Sequence, residues 1–192
     1  MTPRKFALAM LAGASFLSAC GDPQSLLARL PTVADVYTIF ALSGTPASYP
    51  SGINTYVRAA VRVDGNAAFD VAFDLDSAGH VVVYPVQKVV SSPGGSRHVG
   101  LRKVPGPFGA VTIAPEGTYA DSAIVLSDST QVVVVQSVRN GGNDVCQFDI
   151  SPYIYAKMSV DSVVVSTRTI FVQTVLDPNC GFRSFEAGIP AK

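Results

Sequence analysis

The sequence contains no tryptophan, only two histidines and few charged residues, which make up 15% of its 192 residues. Without tryptophan, stacking on a sugar would depend on tyrosine alone, which weakens a carbohydrate-binding interpretation. Basic and acidic residues are balanced at 14 each and no basic block occurs, so nucleic acid is not an expected partner. The sequence also has no HExxH pattern, no paired-cysteine zinc pattern and no nucleophile elbow.

Candidate catalytic residues are correspondingly few. A Ser-His-Asp site would need His80 or His98, and neither lies in a recognisable catalytic pattern. We predict that both are surface residues beside turns, that the protein is not an enzyme, and that it holds no metal or other cofactor. An envelope hydrolase using one of these histidines is the alternative.

The N-terminus is basic, then apolar, then rich in small residues. Basic residues 4 and 5 precede an apolar run over 6–17, which has the length of a signal-peptide h-region and is too short to span a bilayer. The sequence Leu17-Ser18-Ala19-Cys20 closes this run. Residues 1–20 therefore resemble the signal peptide and lipobox of bacterial lipoproteins. An ordinary secretory signal peptide and a transmembrane anchor are the alternatives.

The resemblance implies that residues 1–19 are removed and that Cys20 carries a diacylglyceryl group, usually with a further fatty acid such as palmitate on the new amino terminus. Two or three acyl chains give stable anchoring, at about 0.8 kcal/mol per buried CH₂. The expected location is the bacterial cell envelope, with the membrane as partner through Cys20. Gly21, rather than Asp, follows the cysteine, and this favours the outer membrane over the inner one.

If Cys20 is lipidated, Cys146 and Cys180 remain as an even pair in an oxidising compartment. We predict a disulfide between them, with two buried thiols as the alternative. Closing a loop of this length would stabilise the fold by about 3–4 kcal/mol in the chain-entropy model.

Short strand candidates follow one another from Asp35 onward, separated by clusters of Gly, Pro, Asn, Asp and Ser. This spacing predicts an all-β fold, a single antiparallel β-sandwich over residues 35–192, with a small closed barrel as the alternative. Residues 20–34 would form a tether of at most about 45 Å.

The clearest strand signal is a pair of alternating runs, 53–63 and 69–75, on either side of Asp64-Gly65-Asn66. The alternation predicts one β-hairpin with an apolar inner face that includes Phe73.

The same alternation places Asp70, Asp74 and Asp76 on the outer, solvent face of that hairpin. The start of a calcium loop is one interpretation, but the required later acidic residue is missing. We therefore predict an exposed cross-strand ladder in which Arg62 lies diagonal to Asp70 and Arg58 is flanked by Asp70 and Asp74.

The function most consistent with these features is a binding or interaction module, or a structural component, of the envelope. The loops 43–52, 91–97 and 140–144 would then face a partner. The tyrosines in or near loops are expected to pack or to cap rather than to bind sugar; they are Tyr49, Tyr119, Tyr153 and Tyr155. A closed barrel would instead offer an interior cavity for a lipid or another small ligand.

Overall fold

The computed structural model describes residues 27–64, 68–91, 98–139, 141–142, 144–149 and 151–190. The predictions about residues 1–20 and about a turn at Gly65-Asn66 lie outside these ranges. The described part contains one four-residue helix, α1 (Val86–Val89), and ten strands: β1 Val33–Phe40, β2 Gly52–Asn54, β3 Ala59–Val61, β4 Val71–Leu75, β5 Val81–Pro85, β6 Val99–Pro105, β7 Ile124–Leu126, β8 Gln131–Val138, β9 Tyr153–Val164 and β10 Thr169–Asp177.

The strands form two five-stranded antiparallel sheets, which confirms the predicted sandwich. Sheet A has the order β1-β10-β9-β8-β6, and sheet B has the order β3-β2-β4-β5-β7. The two sheets remain separate rather than joining into one closed sheet. None of the helical segments in the described ranges has the length and apolar character needed to cross a membrane.

The main core lies between the two sheets, where one face of each sheet is apolar. Phe73 is 1% exposed, so its predicted inward position is confirmed. The other large side chains in this core are fully buried and include Ile39, Ile53, Phe69, Leu101, Met158 and Ile170. Burying each such side chain stabilises the fold by about 1.5–3 kcal/mol, which makes the interface between the sheets the principal source of stability.

A smaller cluster covers the outer face of sheet A. Val132 and Val134 pack there against Val111, Tyr155 and Phe185. The run 132–135 lacks alternation because β8 is buried on both faces.

The predicted long hairpin is wrong in its pairing. Residues 53–63 do not form one strand, because β2 and β3 are themselves a hairpin and β4 pairs with β2 rather than with β3. Asn54 causes the reversal: its Oδ1 accepts a hydrogen bond from the Val57 backbone N–H, and its own carbonyl accepts one from Arg58. Arg58 completes the turn with φ of 61°. Asparagine favours such local side-chain bonds, and these override the period-2 pattern.

The loops of the sandwich gather at two ends. At the N-terminal end, β1 begins at Val33, opposite Leu176, and residues 144–149 and 178–182 lie beside it. At the distal end, β1 stops at Phe40, opposite Thr169, near the loops 41–51, 76–80 and 165–168.

Candidate functional site

Asp70 is an interior residue, not the surface residue that the alternation predicts. It is 0% exposed, and both of its carboxylate oxygens lie 2.7 Å from Nη2 of Arg139, which is 2% exposed. Thr55 donates two further hydrogen bonds to Asp70 Oδ2, from its backbone N–H at 2.7 Å and its hydroxyl at 2.6 Å. The prediction fails because the β2–β3 turn folds Thr55 and Tyr56 over this position, and because Arg139 reaches it from the other sheet.

The Asp70–Arg139 pair joins sheet B to sheet A at the N-terminal end of the sandwich. Arg139 follows β8 directly, and its guanidinium lies 5.7 Å from the centre of the Tyr56 ring. The guanidinium occupies the place that a metal ion would need beside the carboxylate. The arrangement therefore supports a structural role rather than an ion-binding one.

The other acidic residues of the predicted ladder have separate partners. Asp74 Oδ1 accepts hydrogen bonds from the Ser43 hydroxyl at 2.8 Å and from Arg168 Nη2 at 3.0 Å. Asp76 caps its own turn by accepting the backbone N–H groups of residues 78 and 80. Arg58 pairs with Asp35, not with the predicted carboxylates. The ladder is therefore wrong as predicted.

One cluster in the described part of the chain brings three residues of metal-ligating types together, and it consists of Cys146, Asp149 and Cys180. The two cysteines form the predicted disulfide, which is thereby confirmed. A bridged pair of sulfurs is not available as a thiolate ligand, so the cluster does not support a metal site.

Asp74 gives a stability prediction that depends on pH. Burial opposes its charged form, but hydrogen bonds from Ser43, Leu75 and Arg168 outweigh burial and hold the pKa of Asp74 below its ordinary value. Its contribution is therefore present above about pH 4 and is lost as the pH falls below that. We expect Asp74→Asn to lower the free energy of unfolding by about 1 kcal/mol at neutral pH, because the site is partly solvated.

Urea unfolding at about pH 7 and about pH 3 tests this prediction, since the difference between wild type and Asp74→Asn should narrow in acid. A difference that stays constant across this range would contradict it. An Asp74 that made no hydrogen bonds to Ser43 and Arg168 would show no effect at either pH.

His80 lies at a shallow cleft of about 190 Å³ at the distal end, with Asp128, Asp161 and Ser162 among the lining residues. Its Nδ1 is 3.2 Å from Asp76 Oδ2, four residues earlier in the same turn. This pair completes a turn rather than aligning a nucleophile, so it does not support a catalytic triad.

The two histidines are not brought together. His98 is exposed, and its carbonyl accepts the Val138 N–H at the N-terminal end, whereas His80 belongs to the distal end. The structure therefore offers His80 and His98 no shared site.

The tyrosines are mostly packing residues. Tyr119, Tyr153 and Tyr155 form a cluster on the outer face of sheet A, with ring centres 6.0 and 6.5 Å apart. Burial raises the pKa of Tyr119 far above its ordinary value. Tyr49 is the more exposed one, and its ring packs 4.6 Å from that of Phe40 at the distal end. This leaves Tyr49 as a tyrosine that a partner could reach.

A second and larger concavity, which we call the N-terminal groove, has a volume of about 450 Å³. It is lined by Leu27, Arg29, Leu30, Val145, Phe148, Asp149, Pro178, Asn179, Cys180 and Phe182. Three apolar side chains at this groove face solvent: Phe148 is 93% exposed, Leu27 76% and Leu30 49%. Phe148 belongs to a run of turns over 145–148, and β9 begins only at Tyr153.

Asn179 fixes the chain at the edge of the groove. Its Oδ1 accepts the backbone N–H groups of Arg29 and Leu30 at 2.8 and 3.0 Å, and its Nδ2 donates to the Leu30 carbonyl. Asp177 lies beneath, where burial raises its pKa and where its Oδ1 accepts two hydrogen bonds from Asn179. The disulfide links Cys180, next to Asn179, to the segment that carries Phe148.

The predicted binding loops do not share one surface. The loop 43–52 lies at the distal end, whereas residues 141–142 and 144 lie at the N-terminal end. The segment 92–97 is outside the described residues. A partner that contacts one of these loops at one end of the sandwich would not contact the other at the same time.

Comparisons with known proteins do not narrow the function: no protein-family model, no curated protein and no solved structure matches this chain.

Proposed function

We propose that the protein is a lipoprotein of the bacterial cell envelope, anchored through Cys20, whose β-sandwich is a binding or structural module rather than an enzyme. The observation that carries the proposal is the sequence Leu17-Ser18-Ala19-Cys20 directly behind a basic and then apolar N-terminus. The Cys146–Cys180 disulfide supports an oxidising compartment. Gly21 after the cysteine favours the outer membrane.

The connection to the membrane would be short. Arg29 and Leu30 are hydrogen-bonded to Asn179, and β1 follows from Val33, so the described chain is part of the domain from Arg29 onward. Eight residues, 21–28, separate Cys20 from that point, a span of at most about 30 Å. The module would therefore work close to the bilayer.

This geometry favours the distal end as the surface presented to a partner. A domain tethered at its N-terminal end directs the loop 41–51 and the His80 cleft away from the lipid. Tyr49, partly exposed in that loop, is suited to a protein or small-ligand contact because tyrosine offers a large apolar ring with a polar tip.

The anchor is tested by Cys20→Ser. We expect this variant to lose incorporation of labelled fatty acid and to accumulate as an uncleaved precursor, because the thiol that forms the thioether is gone. Metabolic labelling in a bacterial host, followed by intact-mass analysis, measures both effects. Cys146→Ala/Cys180→Ala is the control, since it removes the other two cysteines of the chain but should keep the label. Equal labelling of the Cys20→Ser variant and wild type would contradict the proposal.

A further inference from the structure

The exposed apolar side chains of the N-terminal groove form a single surface at one end of the sandwich. Leu27, Leu30 and Phe148 all line the groove, although Phe148 is more than 100 residues away from the other two in sequence. Contiguous exposed apolar surface in a folded domain indicates contact with a partner or a membrane. Phe148 is almost fully exposed on a segment that the disulfide holds in place, so its position is built into the fold.

The position of the groove along the chain indicates which kind of partner covers it. Leu27 is both part of this surface and only seven residues from Cys20, so their Cα atoms are at most about 25 Å apart. If acyl chains on Cys20 are inserted in a bilayer, the groove is held at the bilayer surface. A lipid surface is then the nearest apolar partner, present at high local concentration.

The charges around the groove favour shallow apolar insertion over electrostatic adsorption. Arg29 and Asp149 line it with opposite charges, which provides no net attraction to anionic lipid. Long cationic side chains such as Arg29 can extend to the headgroups while neighbouring apolar groups lie deeper. Aromatic and leucine side chains are typical of surfaces that enter the boundary between headgroups and acyl chains.

We propose that Leu27, Leu30 and Phe148 insert into the outer part of the bilayer that holds Cys20, which fixes the N-terminal end of the sandwich on the membrane. This inference rests on the proposed lipid anchor. It adds a second membrane contact, made by the folded domain itself, and it sets the orientation of the distal end toward the aqueous side.

The absence of tryptophan makes a direct test possible, because one introduced tryptophan is the only such fluorophore in the chain. The full chain carrying Phe148→Trp, processed in a bacterial host, is reconstituted in phosphatidylcholine vesicles with or without brominated acyl chains. We expect emission at shorter wavelength than in water and a loss of intensity with brominated lipid. Val165→Trp is the matched control: Val165 is 60% exposed at the distal end, so its tryptophan should show neither effect.

The outcomes separate the two proposals. If the Phe148→Trp protein carries the acyl label but its emission is not quenched, the docking surface is overturned and the anchor is left intact. A shift to shorter wavelength without quenching by brominated lipid also overturns the proposed membrane insertion, because a second copy of the chain would then cover the groove. If the protein carries no acyl label, the proposal of a lipid anchor at Cys20 is overturned. Quenching of the Phe148→Trp emission would in that case still support membrane insertion of the groove. If there is neither label nor quenching, both proposals are overturned.

Discussion

Asp70→Asn should lower the free energy of unfolding by about 3–5 kcal/mol, the typical result of breaking a buried ion pair from one side. Arg139 would keep its charge at 2% exposure but lose the carboxylate that neutralises it. The asparagine has nearly the same shape as the aspartate, so the effect reports charge rather than a cavity. The amide nitrogen of the introduced asparagine would also face either Thr55 or Arg139, which are both donors there.

Chemical denaturation at neutral pH measures this effect. Glu116→Gln is the matched control, because Glu116 also pairs with an arginine, Arg183, at 2.7 Å, but is 83% exposed. The Glu116→Gln variant should lose no more than about 1 kcal/mol of its free energy of unfolding. Similar losses for the two variants would contradict a buried role for Asp70.

Replacing both partners distinguishes the destabilisation caused by an unpaired buried charge from the stabilisation that the ion pair itself contributes. An Asp70→Asn/Arg139→Met variant removes both charges and keeps an amide oxygen that can accept from Thr55, so it should be less destabilised than Asp70→Asn alone. The opposite order would show that Arg139 or Asp70 makes further contacts that matter more than their mutual attraction.

The sandwich and the inward position of Phe73 could be predicted because both depend on local pattern. Period-2 alternation with Gly, Pro and Asn boundaries specifies a two-layer β fold whichever strands become neighbours. The disulfide could be predicted as well, because the lipobox that residues 1–20 resemble would use Cys20 and leave two of the three cysteines. The fold class, the position of Phe73 and the disulfide depend on composition and on patterns between neighbouring residues, and both can be read from a single sequence.

The pairing of the first hairpin could not be predicted from alternation alone. The run 53–63 keeps its period through the turn at Asn54 and Arg58, so the pattern does not mark the reversal. Asn54 is the available signal, because asparagine forms turns through its own side chain. Without that reversal, the alternation assigns Asp70 to the wrong face.

The buried ion pair and the N-terminal groove depend on residues that are far apart in sequence. Arg139 lies 69 residues after Asp70, and no spacing rule connects them. The groove combines residues 27–30 with turns near Phe148 and Asn179. Tertiary contacts of this kind depend on which loops meet at one end of the sandwich, and that follows from strand order rather than from any local pattern.

The disulfide should have the second large effect. Replacing both cysteines, as Cys146→Ala/Cys180→Ala, is expected to lower the free energy of unfolding by about 3–4 kcal/mol, because the bridge spans 34 residues and removes conformational freedom from the unfolded chain. Changing both avoids leaving a single reactive thiol in the core.

Denaturant unfolding with and without reductant distinguishes the effect of the disulfide from the effect of replacing the two side chains. Wild type should lose stability when reductant is added, whereas the double variant should be unaffected by it. Both sulfur positions are nearly inaccessible in the folded protein, since Cys146 is 1% and Cys180 9% exposed, so reduction is expected to be slow without denaturant. Intact-mass analysis after alkylation without reductant completes the test: two alkylated thiols in the isolated protein would contradict the bridge. A double variant as stable as the oxidised wild type would show instead that the bridge forms but contributes little.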